Sequence, residues 1–129
     1  MSYTRIVRAA MAALLGVILL LASPAHASGG GVVRRGACSG PSSWKLDVSY
    51  GDIGRLRVKL EIEGGAAGQD WHIFMSDNGI GIFSGTRTSS TGGYLEVRVR
   101  TADRSGSDAI KAAANNVVTG ETCVGRATL

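Results

Sequence analysis

Apolar residues recur at every second position through much of this chain, and that alternation limits what it can become. Trp44, Leu46, Val48 and Tyr50 alternate with Lys45, Asp47 and Ser49. Leu56, Val58, Leu60 and Ile62 alternate with Arg55, Arg57, Lys59, Glu61 and Glu63, and Leu95, Val97 and Val99 with Glu96, Arg98 and Arg100. A period of two puts one side of an extended strand on a core and the other in water. Helical packing needs a period near 3.6 and is excluded for these stretches. Turn-forming residues punctuate the pattern at Gly51-Asp52-Ile53-Gly54, Gly64-Gly65-Ala66-Ala67-Gly68, Asp77-Asn78-Gly79, Thr91-Gly92-Gly93, Arg104-Ser105-Gly106-Ser107 and Val118-Thr119-Gly120-Glu121. Asn-Gly between two apolar runs signals a tight hairpin. About seven strands result, at the spacing of an all-β antiparallel sandwich. Ser107 to Ala114 is compatible with a helix through its Ser cap and its alanines. It is too short to stand alone as one, and the strand reading, with Ile110, Ala112 and Ala114 inward, is preferred.

The first 27 residues follow a different logic. Arg5 and Arg8 precede an uncharged run from Ala9 to Ala22, and Ala25-His26-Ala27 follows as a small-x-small site. This is the form of a signal peptide for export, cut after Ala27. The run is about 14 residues, short of the roughly 20 that span a bilayer, so no permanent membrane anchor is expected. Residues 28–37, with Gly29, Gly30 and Gly31, read as a flexible Gly-rich leader, and 38–129 as the folded domain. In an oxidising compartment Cys38 and Cys123, the only two cysteines, are expected to form a disulfide.

From Cys38 to Leu129 the chain resembles the small secreted immunoglobulin-like sandwiches of actinobacteria. The likeness is carried by seven short strands, by Trp71 on the third, and by Asn116-x-x-Thr119-Gly120-Glu121-x-Cys123 after the sixth. It implies a single immunoglobulin-like sandwich closed by one disulfide, and no activity. The cysteines depart from the antibody pattern. Cys38 lies before the first strand of this reading and Cys123 in the last, so the bridge joins the chain ends.

Charge and composition narrow the function. Removing Arg5 and Arg8 from the 14 Lys and Arg leaves 12 against 10 Asp and Glu, a net charge of +2. That balance gives no strong reason to hold nucleic acid. Two cysteines and one remaining histidine, His72, are too few for a closed zinc site. No phosphate loop, cofactor fingerprint or nucleophile elbow occurs, so no catalytic, metal or cofactor residue is assigned and no cofactor is expected. His72 beside Asp70 has the residue types of a general base, but a surface histidine on a strand is the plainer reading. Asp103 to Asp108 offers oxygens to calcium yet fits no full ligand pattern, and is read as a turn.

One surface remains. Arg55, Arg57 and Lys59 on the second strand of this reading and Arg98 and Arg100 on the fifth form a basic face if the two strands are neighbours. Glu61, Glu63 and Glu96 are expected to be cross-strand partners that dilute it. Trp44, Trp71 and Tyr50 have inward parity. The expectation is a secreted, non-enzymatic binding or structural module whose partner is an extracellular protein or cell-wall polymer. A hydrolase inhibitor displaying Ser84 to Gly93 as a polar loop is the first alternative. Another is a small-molecule carrier in the manner of the actinobacterial chromoprotein apoproteins, which use more cysteines. A hydrolase built on His72 ranks last.

Overall fold

The computed structural model describes residues 30–129. The signal segment 1–27 lies outside the described residues, as do the first two residues of the leader. Eight strands form: β1 Val32–Ala37, β2 Ser43–Tyr50, β3 Arg55–Glu63, β4 Asp70–Asp77, β5 Ile80–Thr88, β6 Leu95–Ala102, β7 Ala109–Asn116 and β8 Thr122–Thr128. They make two antiparallel four-stranded sheets, ordered β1-β2-β3-β6 and β5-β4-β7-β8. The sheets face each other with β8 behind β1 and β2, and with β5 behind β6.

The alternation does what its period demands. Leu46, Val48, Leu56, Val58, Leu60, Ile62, Leu95 and Val97 project from the first sheet, and Trp71, Ile73, Met75, Ile110, Ala112, Ala114, Cys123 and Ala127 from the second, into one core. Residues 109–116 are a strand, with Ile110, Ala112 and Ala114 buried and Lys111 exposed. Asn78 and Gly79 both have positive φ, 49° and 82°, and close the β4–β5 hairpin with the primed-turn geometry that suits twisted strands.

Three expectations need correction. The leader assigned to 28–37 is strand from Val32 to Ala37, paired residue for residue with β2 from Val32↔Val48 to Ala37↔Ser43. Edge pairing against an already ordered strand supplies its backbone partners, so a glycine-rich, mostly exposed sequence can be held extended. Ser84–Thr88 is the second half of β5 rather than a protruding loop. Ser89 is buried, and its hydroxyl donates to the Ala66 carbonyl at 2.8 Å, which ties the connection to the 64–69 loop. Tyr50, assigned inward by parity, is 49% exposed, as the last residue of β2.

Trp44 shows how the sheets meet at the β1–β8 side. Its indole lies between Gly36 of β1 and Gly125 of β8. A methyl on Gly36 would come within 2.6 Å of the indole and one on Gly125 within 2.8 Å. Both positions admit the ring only because they lack a Cβ. The Cys38–Cys123 bridge is present, with Cα atoms 4.4 Å apart. It ties the β1–β2 connection of one sheet to β8 of the other.

The Asn116–Cys123 segment owes its composition to this corner. Asn116 is buried; its Oδ1 accepts the amides of Val118 and Thr119, and its Nδ2 donates to Gln69. The Thr119 hydroxyl accepts the Glu121 amide at 3.2 Å. The Glu121 carboxylate accepts the Ser42 amide at 2.7 Å and the Ser42 hydroxyl at 3.1 Å. The polar residues of that motif thus fix the turn and supply the buried Ser42 with its acceptor.

Candidate functional site

The strands carrying the basic residues are neighbours. β3 pairs β6 in a register that sets Arg57 opposite Arg100 and Lys59 opposite Arg98, with Arg55 opposite Ala102. All of these charged side chains stand on the solvent face of the first sheet, because Leu56, Val58 and Leu60 occupy the buried parity between them. On the next strand Asp47 stands opposite Lys59 and Ser49 opposite Arg57. The four central cations rim a groove of about 580 Å³ lined also by Asp47, Ser49, Val58 and Val99.

The expected cross-strand neutralisation of Arg57, Lys59, Arg98 and Arg100 by the glutamates does not occur across the β3–β6 seam. The same register that stacks cation on cation puts Glu61 opposite Glu96. Like meets like along the β3–β6 seam, so charge divides along the strands, with an acidic end near the 64–69 loop and a basic end near the 51–54 turn. Neutralising contacts run instead along strands, to the β2–β3 turn, or across the β2–β3 pair, where Lys45 stands directly opposite Glu61. Lys59 reaches Glu61 at 3.7 Å and Lys45 reaches it at 3.5 Å. Arg98 pairs with Glu96 on its own strand, and Arg100 with Asp52 of the β2–β3 turn at 3.3 Å. Among the described residues Arg57 makes no ion pair.

The acidic end is held by Tyr94. Its hydroxyl donates to Glu96 at 2.6 Å, with Glu61 at 3.2 Å. Bonded to Glu96 and close to a second carboxylate, the phenol is pushed well above its ordinary value. Glu96 is lowered by the Tyr94 hydroxyl and by Arg98. Tyr94 is thus committed to the two glutamates rather than offered as a stacking platform.

The outer face of the second sheet is different in kind. His72, Phe74, Ser84, Thr86, Ala113 and Val124 line a shallow, nearly uncharged depression of about 530 Å³. His72 Nδ1 is 2.8 Å from the Thr86 hydroxyl, its direct cross-strand neighbour. Asp70 does not orient the imidazole; its carboxylate accepts the Thr88 hydroxyl at 2.5 Å. A threonine beside a histidine is a nucleophile and base by residue type, but acyl chemistry also needs donors aimed at a developing oxyanion. The amides of β4 around His72 are engaged in ladders on both sides, whereas Thr86 lies on the edge strand β5, which is paired on one side only.

Asp103 and Asp108 flank the β6–β7 connection. Asp108 is buried and its Oδ1 accepts the Arg104 amide at 3.3 Å. Among the described residues no group of three or more His, Cys, Asp and Glu side chains is placed to hold a metal ion, and no helix is long and apolar enough to cross a membrane. Sequence reasoning missed a buried acid, Asp77. Its signal was there to read, since residue 77 is the next inward position after Trp71, Ile73 and Met75. No protein-family model, curated protein or solved structure matches this chain.

Proposed function

We propose that this chain is an exported, non-enzymatic binding module of immunoglobulin-like connectivity that docks a linear polyanion on the outer face of its first sheet. The observation that carries the reading is the pair of consecutive like-charge rungs, Arg57 opposite Arg100 and Lys59 opposite Arg98. Like charges placed directly across a strand pair disfavour the fold. Lys59, Arg98 and Arg100 are offset by Glu61, Glu96 and Asp52, and Arg57, without an ion pair among the described residues, is the charge that a bound anion neutralises. Successive rungs are about 6.6–6.8 Å apart along a strand and neighbouring strands about 4.8 Å apart. Four cations therefore present a compact rectangle, matched by a chain with an anionic group at each repeat of similar length.

Strand adjacency supports the immunoglobulin-like part. With β1 set aside, β2-β3-β6 correspond to strands A, B and E, and β4-β7-β8 to C, F and G, with β5 beside C as in variable-type domains. Trp71 then sits on strand C in the core, where such domains carry their buried tryptophan. Export is supported by the N-terminal signal pattern and by the Cys38–Cys123 bridge. A binding role rather than hydrolysis is favoured because the His72–Thr86 pair has no orienting carboxylate; Asp70 is engaged with Thr88 instead.

Polyphosphate and poly-glutamate of fixed length serve as probes, titrated by calorimetry against the domain with its disulfide intact. Binding to either, lost in Arg57→Glu with the fold retained, supports the reading. Equal affinity in the wild type and Arg57→Glu, or no binding to both polymers at low salt, refutes it.

A further inference from the structure

We infer that Asp77 and Asp108 share a single proton at one end of the core, forming an acid-stabilised latch between β4 and the loop that leads into β7. Both residues continue core stripes. Asp77 follows Trp71, Ile73 and Met75 on β4, and Asp108 precedes Ile110, Ala112 and Ala114 on β7. The register that pairs Asp77 with Ile110 brings the two acids to the same end of the sheet. Asp77 is 0% exposed and Asp108 2%.

Asp77 has no hydrogen bond to either carboxylate oxygen. The buried Glu121 at the opposite end of the sandwich shows the ordinary arrangement, with both oxygens accepting donors from Ser42. An orphaned buried carboxylate is costly, and the cost is relieved if the group carries a proton and donates it. Asp108, buried at the same end of the sheet, is the acceptor we assign to it. The charged groups facing Asp77 are Asp108, Asp103 and Arg104. The first two oppose its ionisation, while Arg104, with Nε 3.8 Å from Asp77 Oδ2, favours it from beyond hydrogen-bond range. Burial first, then Asp108, push the Asp77 carboxyl up to about 6. Asp103 is also raised, by desolvation and by Asp108.

The latch has a definite place in the fold. Asp108 is joined to Leu129 by two backbone bonds, and its Oδ1 holds the Arg104 amide. Asn78, next to Asp77, accepts the Ala109 amide on its side chain. The shared proton therefore fastens the β4–β5 turn, the β6–β7 connection and the end of β8 together. A group whose folded value exceeds its unfolded value of 3.8 contributes stability that is complete below about pH 4 and is lost as pH rises through about 6.

The test compares wild type with Asp77→Asn, whose amide donates to Asp108 at every pH. Urea unfolding of the disulfide-bonded domain from pH 4 to pH 8 should show the wild-type folding constant falling roughly a hundredfold relative to the variant across that window, then levelling off. A ratio independent of pH overturns the inference. Carboxyl carbon resonances of the wild type provide a second measurement that needs no variant. A midpoint near 6 for Asp77 supports the shared proton, and a midpoint near 4 overturns it. Millimolar calcium at pH 7.5 is the remaining arm. Saturable stabilisation of wild type but not of Asp77→Asn would mean that a cation, not a proton, joins the two acids.

Discussion

Reducing the Cys38–Cys123 bridge removes a large part of what keeps this domain folded. The bridge closes a loop of 85 residues. In the chain-entropy model a loop of that length restrains the unfolded state by about 4.5 kcal/mol at 25 °C. Domains of this size are stable by about 5–15 kcal/mol in total. Urea denaturation of the domain with and without a phosphine reductant measures the effect. The midpoint should fall sharply, and the slope m should rise, because an unfolded chain freed of its cross-link exposes more surface. The same change should follow in a Cys38→Ser, Cys123→Ser double variant. An unchanged midpoint would show that the sheets need no covalent tie and would refute the reasoning.

Two other perturbations test the β1–β8 corner. Gly125→Ala places a methyl 2.8 Å from the Trp44 ring, which Gly36 confines on its other side, and should destabilise by about 1–3 kcal/mol in urea unfolding. Its pairing with Trp44→Leu should be less than additive, since the clash disappears with the ring. Glu121→Ala strips the buried Ser42 amide and hydroxyl of their acceptor and should cost about 1–3 kcal/mol, whereas Glu121→Gln, which keeps one oxygen, should cost less.

How far the letters reached depended on whether a residue's role was expressed in its own polarity. β3 and β6 were plain because every inward position is aliphatic and every outward one charged through Leu56–Glu63 and Leu95–Arg98. Their adjacency enters the sequence reading only as a condition and their register not at all, and the register decides whether Arg57 meets Glu96 or Arg100. β1 was missed because only Val32 and Gly36 turn inward with any burial, and a glycine that accommodates an indole carries no hydrophobic signal. The polar half of β5 was taken for a loop because it is an edge strand with few apolar residues. Asp77 and Asp108 read as turn residues because an acid at a core parity looks like the end of a strand until the opposing element is seen to bury it.

The most direct measurement is the salt dependence of polyanion binding to the disulfide-bonded domain. If Arg57, Lys59, Arg98 and Arg100 displace counterions from a single-stranded anionic chain, log affinity should fall with log salt at a slope of about −2 to −3. Arg57→Glu should flatten that slope as well as weaken binding. A slope near zero, or one unaltered by Arg57→Glu, would contradict the claim that the stacked cations of the β3–β6 seam are the docking site.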